Sequence, residues 1–220
     1  MNISENIREY IKDRLPEKRY SSFDYCFNYF RSFYENDNIE SIASPDNVQL
    51  SCLQLGFYLA SWGMFRGNAF LLQKSVKHYQ PLISVIAGMP KVCWQVDLNN
   101  YSDKSIQLLL EIYKHIFSSL GENDEFASTT LVTKIMLGVF GNIPALDNNF
   151  CKGFKLNKYF SESLLRKILD FYLANKEEFE KFKIKTIDFS TGMETDRYYT
   201  NAKLIDMVGF IEGIKESNKS

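Results

Sequence analysis

Asp147 and Lys134 are the residues of this chain whose types and setting most invite chemistry. Asp147 closes the turn Pro144-Ala-Leu-Asp147, which follows the apolar run Thr129 to Phe140, and stands at the entry to the next element. A carboxylate placed there is either a helix N-cap accepting backbone N–H groups, or an ionised acid aimed into a cleft, where it acts as a base or steadies positive charge. Lys134 shares one side of the preceding helix with Thr130 and Gly141, opposite an apolar arc of Leu131, Val132, Ile135, Met136, Val139 and Phe140. It reads as a solvated lysine or as an anchor for an anion. Asn148 adds an amide beside the acid.

A second constellation lies upstream. Tyr58, Trp62 and Arg66 are spaced i, i+4, i+8 on a helix read from Asn47 to Phe65. An aromatic platform ending in a guanidinium stacks a ring and pairs an anion; the plainer reading is core aromatics with Arg66 at the helix C-terminus. Gly56, Ala60, Gly63 and Gly67 line a neighbouring face with almost no side chain. Glycine inside a helix costs about 1 kcal/mol relative to alanine, so that face implies a close helix crossing or a ligand. Between Asp147 and Lys167, Lys152, Lys155, Lys158, Arg166 and Lys167 alternate with Phe150, Phe154, Tyr159 and Phe160. That pattern fits a phosphate-contacting loop with stacking rings, or a solvated basic loop with its rings turned inward.

Several chemistries have no signal. His78 and His115 are the only histidines and have no partner at ligand spacing, so no His-dependent metal site is written, and no cofactor fingerprint or phosphate-cradling Gly-rich loop is present. Cys26, Cys52, Cys93 and Cys151 are widely spaced, which suits buried thiols in a reducing cytoplasm better than a disulfide frame. Acids number 27 against 26 bases, so attraction to a polyanion requires a local patch. Met1 to Arg19 is charged and lacks the apolar core of a signal peptide. The uncharged stretch Asn47 to Phe65 carries enough Asn, Gln and Ser to fit a buried central helix better than a membrane span, so no membrane partner is expected.

The elements that must position these residues are helical. Apolar spacing, Pro16, the Ser44-Pro45-Asp46 start, Ser102 or Asp103, Gly121 and Ser161 delimit about eight helices. The expected fold is all-α: one compact multi-helix domain over 1–220, with 1–120 and 121–220 as candidate lobes around a buried central helix. Ser21 or Ser22 caps the second helix, and Ala69 to Tyr79 forms another. Lys91 to Val96 is the single candidate strand, Gly121 to Phe126 an acidic connector and Thr186 to Asp196 a polar hinge. Ser217 to Ser220 should fray.

From about Leu120 to Lys167, under a quarter of the chain, the pattern resembles the helix-hairpin-helix DNA glycosylase superfamily. There a helix with an apolar face leads through a Pro-containing turn to an Asp at a helix start, which places Asp147 at the family's acid. The match has one more residue between Pro144 and Asp147 than the family's Pro-x-Asp. The place of the DNA-gripping hairpin holds Ser119 to Phe126, and that of the lyase lysine falls at Ser128, with Lys134 a turn away. The resemblance implies nucleic-acid contact without lyase chemistry.

The leading expectation is nucleic-acid or nucleotide binding where the Trp62/Arg66 end of its helix meets Asp147 and Asn148. Arg66 would pair phosphate, Trp62 stack a base and Asp147 face the ligand. The rivals are a non-catalytic interaction module and a small-molecule enzyme with Asp147 as base and Lys134 or Arg66 as anion anchor.

Overall fold

The computed structural model describes residues 1–67, 69–121 and 127–219. Ten α-helices, six short 3-10 turns and one two-stranded hairpin account for the regular structure among them, so the all-α class holds. In chain order the helices are α1 (Ile3–Lys12), α2 (Ser22–Glu35), α3 (Val48–Ser61), α4 (Gln80–Ala87), α5 (Asp103–Ser119), α6 (Thr129–Phe140), α7 (Asn148–Phe154), α8 (Glu162–Ala174), α9 (Lys176–Phe179) and α10 (Asn201–Asn218). Strands β1 (Lys185–Ile187) and β2 (Glu194–Tyr198) pair antiparallel between α9 and α10, with Lys185 opposite Tyr198, Ile187 opposite Glu194 and an irregularity between. No described helix is long and apolar enough to cross a membrane.

The helix starts follow local chemistry. Ser102, Ser128, Asp147, Ser161 and Thr200 each turn a side-chain oxygen onto a first-turn N–H of the helix that follows. Gly141 then ends α6 in the left-handed conformation, at φ +65°.

Two helices form the centre. Every residue of α6 from Leu131 to Phe140 is buried, and α10 is buried from Ala202 to Ile211. Helix α6 packs on α2 and α3, and its Gly138 lies directly beneath the Tyr58 ring. Helix α7 lies across α10 at a crossing made by glycine: a Cβ on Gly213 would enter the Asn149 carbonyl, and one on Gly153 the Gly209 carbonyl. Helix α1 covers the far side of α10, where Asn6 Nδ2 donates to Val208 O at 3.2 Å and to Glu212 at 2.8 Å.

Several expectations change. The helix expected to be central, α3, is a surface helix that leaves Leu50, Leu53 and Phe57 exposed while its Ser51 is buried. It starts after Asn47 rather than at Pro45 and ends at Ser61. Ser21 and Ser22 donate to Leu15 O and Arg19 O instead of capping α2. Ala69 to Tyr79 makes two single 3-10 turns, Phe70–Gln73 and Val76–Tyr79. Lys91–Trp94 is a 3-10 turn rather than a strand, with Trp94 buried against Phe140 and stacked on Tyr34. The expected hinge is the β hairpin, whose turn is tied by Asp188 Oδ1 accepting from Ser190 and Thr191. The end of the chain is helical through Asn218. The acidic connector at 122–126 and Asn68 of the Arg66-Gly67-Asn68 break lie outside the described residues, as does Ser220.

Candidate functional site

The loop 143–147 between α6 and α7 is fastened on both sides. Thr130 Oγ1 donates to Leu146 O at 2.8 Å, Leu146 N donates to Thr133 Oγ1 at 2.9 Å, and Ala145 N donates to Asp206 Oδ1 at 3.1 Å. Asp147 is thereby fixed at the N-terminus of α7. Its Oδ1 accepts from Phe150 N at 2.9 Å, and its Oδ2 accepts from Lys134 Nζ at 3.1 Å. The Lys134 side chain is 4 % exposed and that of Asp147 17 %, so the lysine expected to be solvated is instead a buried ammonium held by a carboxylate.

Trp62 ends α3 as its C-cap, and Gly63 at φ +77° turns the chain away. Trp62 and Arg66 are therefore not successive turns of one helix. Arg66 folds back over Gly63, where an added Cβ would meet its guanidinium. Among the glycines expected to form one smooth face, Gly63 and Gly67 instead serve positive-φ turns, and Gly56 packs on the Tyr79 ring.

The Trp62 ring is crowded. Tyr20 stacks on it at 5.4 Å and Phe210 meets it edge-on at 5.5 Å. The cations of Lys134, Lys203 and Arg19 lie 5.3, 5.4 and 5.6 Å from its centre. Such cation–ring contacts hold charge in place at sites where water is scarce. Lys203 is wholly buried, with its Nζ 2.8 Å from Asp206 and 2.9 Å from the Tyr10 hydroxyl. Burial, reinforced by Asp206 and Asp24, pushes the Tyr10 phenol well above its ordinary range, which keeps it neutral.

These groups border a cavity of about 660 Å³. Trp62, Arg66, Lys134, Asp147 and Asn148, separated by up to 86 positions in sequence, all line it. Tyr58 does not; it is buried against Gly138. Arg19 and Lys158 also line the cavity, together with Ser128, the N-cap of α6. Lys134 is matched by Asp147, whereas Arg19, Arg66 and Lys158 have no carboxylate partner among the described residues. Lys158 instead donates to Asn148 Oδ1. Three unmatched cations thus converge on one concavity in a chain of net charge −1.

Two other bases of the stretch after Asp147 are engaged elsewhere. Arg166 bridges Asp103 and Glu162, and Lys152 reaches Ser217. Phe150 is buried, Phe154 stacks on it at 4.7 Å, and Phe160 stacks on Tyr113 at 4.2 Å; Tyr159 alone of these rings is largely exposed.

Arg19, Tyr10, Tyr20, Lys203 and Asp206 were not singled out from sequence. Lys203 and Asp206 carried a signal, an i, i+3 pair of opposite charge within an otherwise apolar helix. Arg19 carried none, because a basic residue in a polar connection is unremarkable. Comparison with protein-family models, with curated proteins and with solved structures returns no match for this chain.

Proposed function

We propose that the cleft binds the phosphate groups of a nucleic acid or nucleotide and does so without lyase chemistry. The observation that carries this reading is the convergence of Arg19, Arg66 and Lys158, unmatched by carboxylate, on one cavity of a near-neutral chain. Guanidinium and ammonium groups favour phosphate oxygens through charge-assisted hydrogen bonds. A volume of about 660 Å³ suits a ligand of nucleotide size.

Lys134 and Asp147 form the floor of this site. Asp147 has one oxygen on the α7 backbone and the other on Lys134, so it acts as cap and counter-ion rather than as a base. Trp62 serves as the surface on which Arg19 and Lys134 rest, not as a platform for a base. The position that the glycosylase resemblance assigns to a lyase lysine is Ser128, which has no amine and caps α6.

Fluorescence anisotropy with a labelled single-stranded oligonucleotide tests the reading. Arg19→Gln and Lys158→Gln alter exposed side chains, so folding should be unchanged while binding weakens several-fold in each. Equal affinity for the wild type and both variants would contradict it.

A further inference from the structure

A second hollow, of about 690 Å³, adjoins the first. It is bounded by the connection between α1 and α2, the outer face of α3 and the turn of the hairpin. Arg19 lines both hollows, so they meet at that residue. Their linings differ. The second is walled by Pro16, Tyr25, Leu53, Phe57 and Phe189, with Phe57 71 % and Phe189 76 % exposed. Phe189 is held edge-on to Tyr25 at 5.2 Å, and the Tyr25 hydroxyl donates to Pro16 O at 2.7 Å, which fixes one wall.

The cationic cleft has contacts for phosphate, and its Trp62 ring, half-buried, is already stacked by Tyr20, met edge-on by Phe210 and approached by three cations. The free rings lie across Arg19. We infer that the second hollow is a stacking subsite for an unpaired nucleobase of a strand whose phosphates occupy the cationic cleft. The ligand is then single-stranded nucleic acid rather than a duplex. This rests on the phosphate-binding reading above.

Three features favour a base over an apolar peptide as occupant. The hollow shares Arg19 with the cluster of unmatched cations. Its rim carries Lys18 and Arg19 against the single acid Glu17, which suits a ligand with a negative backbone. Its most exposed apolar side chains are the rings of Phe57 and Phe189, and any base stacks on such a ring regardless of sequence. A base within a duplex is already stacked and paired and cannot enter without being extruded.

The test compares two labelled probes of equal length and charge, oligothymidylate and an abasic oligomer with the same phosphate backbone. Wild type should bind oligothymidylate about tenfold or more tightly than the abasic strand. Phe57→Ala and Phe189→Ala should erase that preference and leave abasic binding unchanged. Both side chains are exposed, and a thermal melt of each variant checks that the fold is intact. Equal, salt-sensitive binding of the two probes by wild type would overturn the stacking subsite and leave the phosphate reading standing. Binding of neither probe would overturn both. Tighter binding of a duplex, or a dimer that Phe57→Ala converts to monomer with no change in strand binding, would also overturn the subsite, the latter assigning the hollow to a second copy of the chain.

Discussion

At the scale of single residues, the ion pair between Lys134 and Asp147 sets the character of the site. A nearly buried ammonium within an apolar helix is tolerated because a carboxylate meets it at 3.1 Å. Removing the acid leaves that charge uncompensated and removes the α7 cap as well. Asp147→Ala is therefore expected to lose about 3–5 kcal/mol, well beyond the ~1 kcal/mol of a cap alone. Lys134→Met, which keeps most of the volume, should cost far less. In a Lys134→Met background the cost of Asp147→Ala should shrink to that of the cap. Urea denaturation of the four proteins of this cycle measures the coupling. A cost near 1 kcal/mol in both backgrounds would reduce Asp147 to a cap and remove Lys134 from its partnership.

At the scale of elements, the site depends on how closely α7 sits on α10. The Gly213 position admits no side chain, because the Asn149 carbonyl occupies the space of a Cβ. Gly213→Ala must push α7 outward, and α7 carries Asp147 at its start. Overpacking of this kind costs typically 1–3 kcal/mol, and here oligonucleotide affinity should fall with stability. Gly88→Ala is the control: its nearest neighbours are 3.6 Å away and its φ is negative, so stability should change by under about 1 kcal/mol. Binding unaffected by Gly213→Ala would show that the crossing does not position the site. The helix starts at Ser102, Asp147 and Ser161 were legible in sequence, because a capping side chain makes them. The glycine crossing was not, because glycine spacing marks a close approach without naming the partner, and Gly56, Ala60, Gly63 and Gly67 offered a more regular pattern. Likewise α3 read as central because it lacks charge, yet Leu50, Leu53 and Phe57 on its outer face stay exposed among the described residues. Lys134 looked solvated because its carboxylate arrives from a different element.

At the scale of the molecule, a buried polar network joins the N-terminal helices to the hairpin and the start of α10. Arg14 Nη1 donates to Lys185 O at 2.6 Å, to Tyr199 Oη at 3.0 Å and to Asp24 Oδ2 at 3.3 Å. Ile187 N donates to the same Asp24 oxygen at 3.1 Å, and the Tyr199 hydroxyl donates to the other. Burial raises the Asp24 carboxyl to about 6 despite Arg14, Tyr199 and the Ile187 N–H, which all favour its ionised form. The folded state therefore holds this proton more tightly than the unfolded chain. Its contribution is fully present near pH 4 and is lost as pH rises through 6, a change on the order of 3 kcal/mol. The stability difference between wild type and Asp24→Asn should accordingly fall between pH 4 and pH 7; a constant difference would mean that Asp24 does not titrate there. The same global view supplies the central test of function. With a net charge of −1, the whole molecule gives a polyanion no general attraction, so binding must come from the local cluster. The most direct measurement is the salt dependence of single-strand affinity. Three phosphates neutralised by Arg19, Arg66 and Lys158 should give log K against log salt a slope of about −2, which becomes shallower when Arg19→Gln and Lys158→Gln are combined. A slope near zero, or the same slope in wild type and the double variant, would contradict phosphate binding in this cleft.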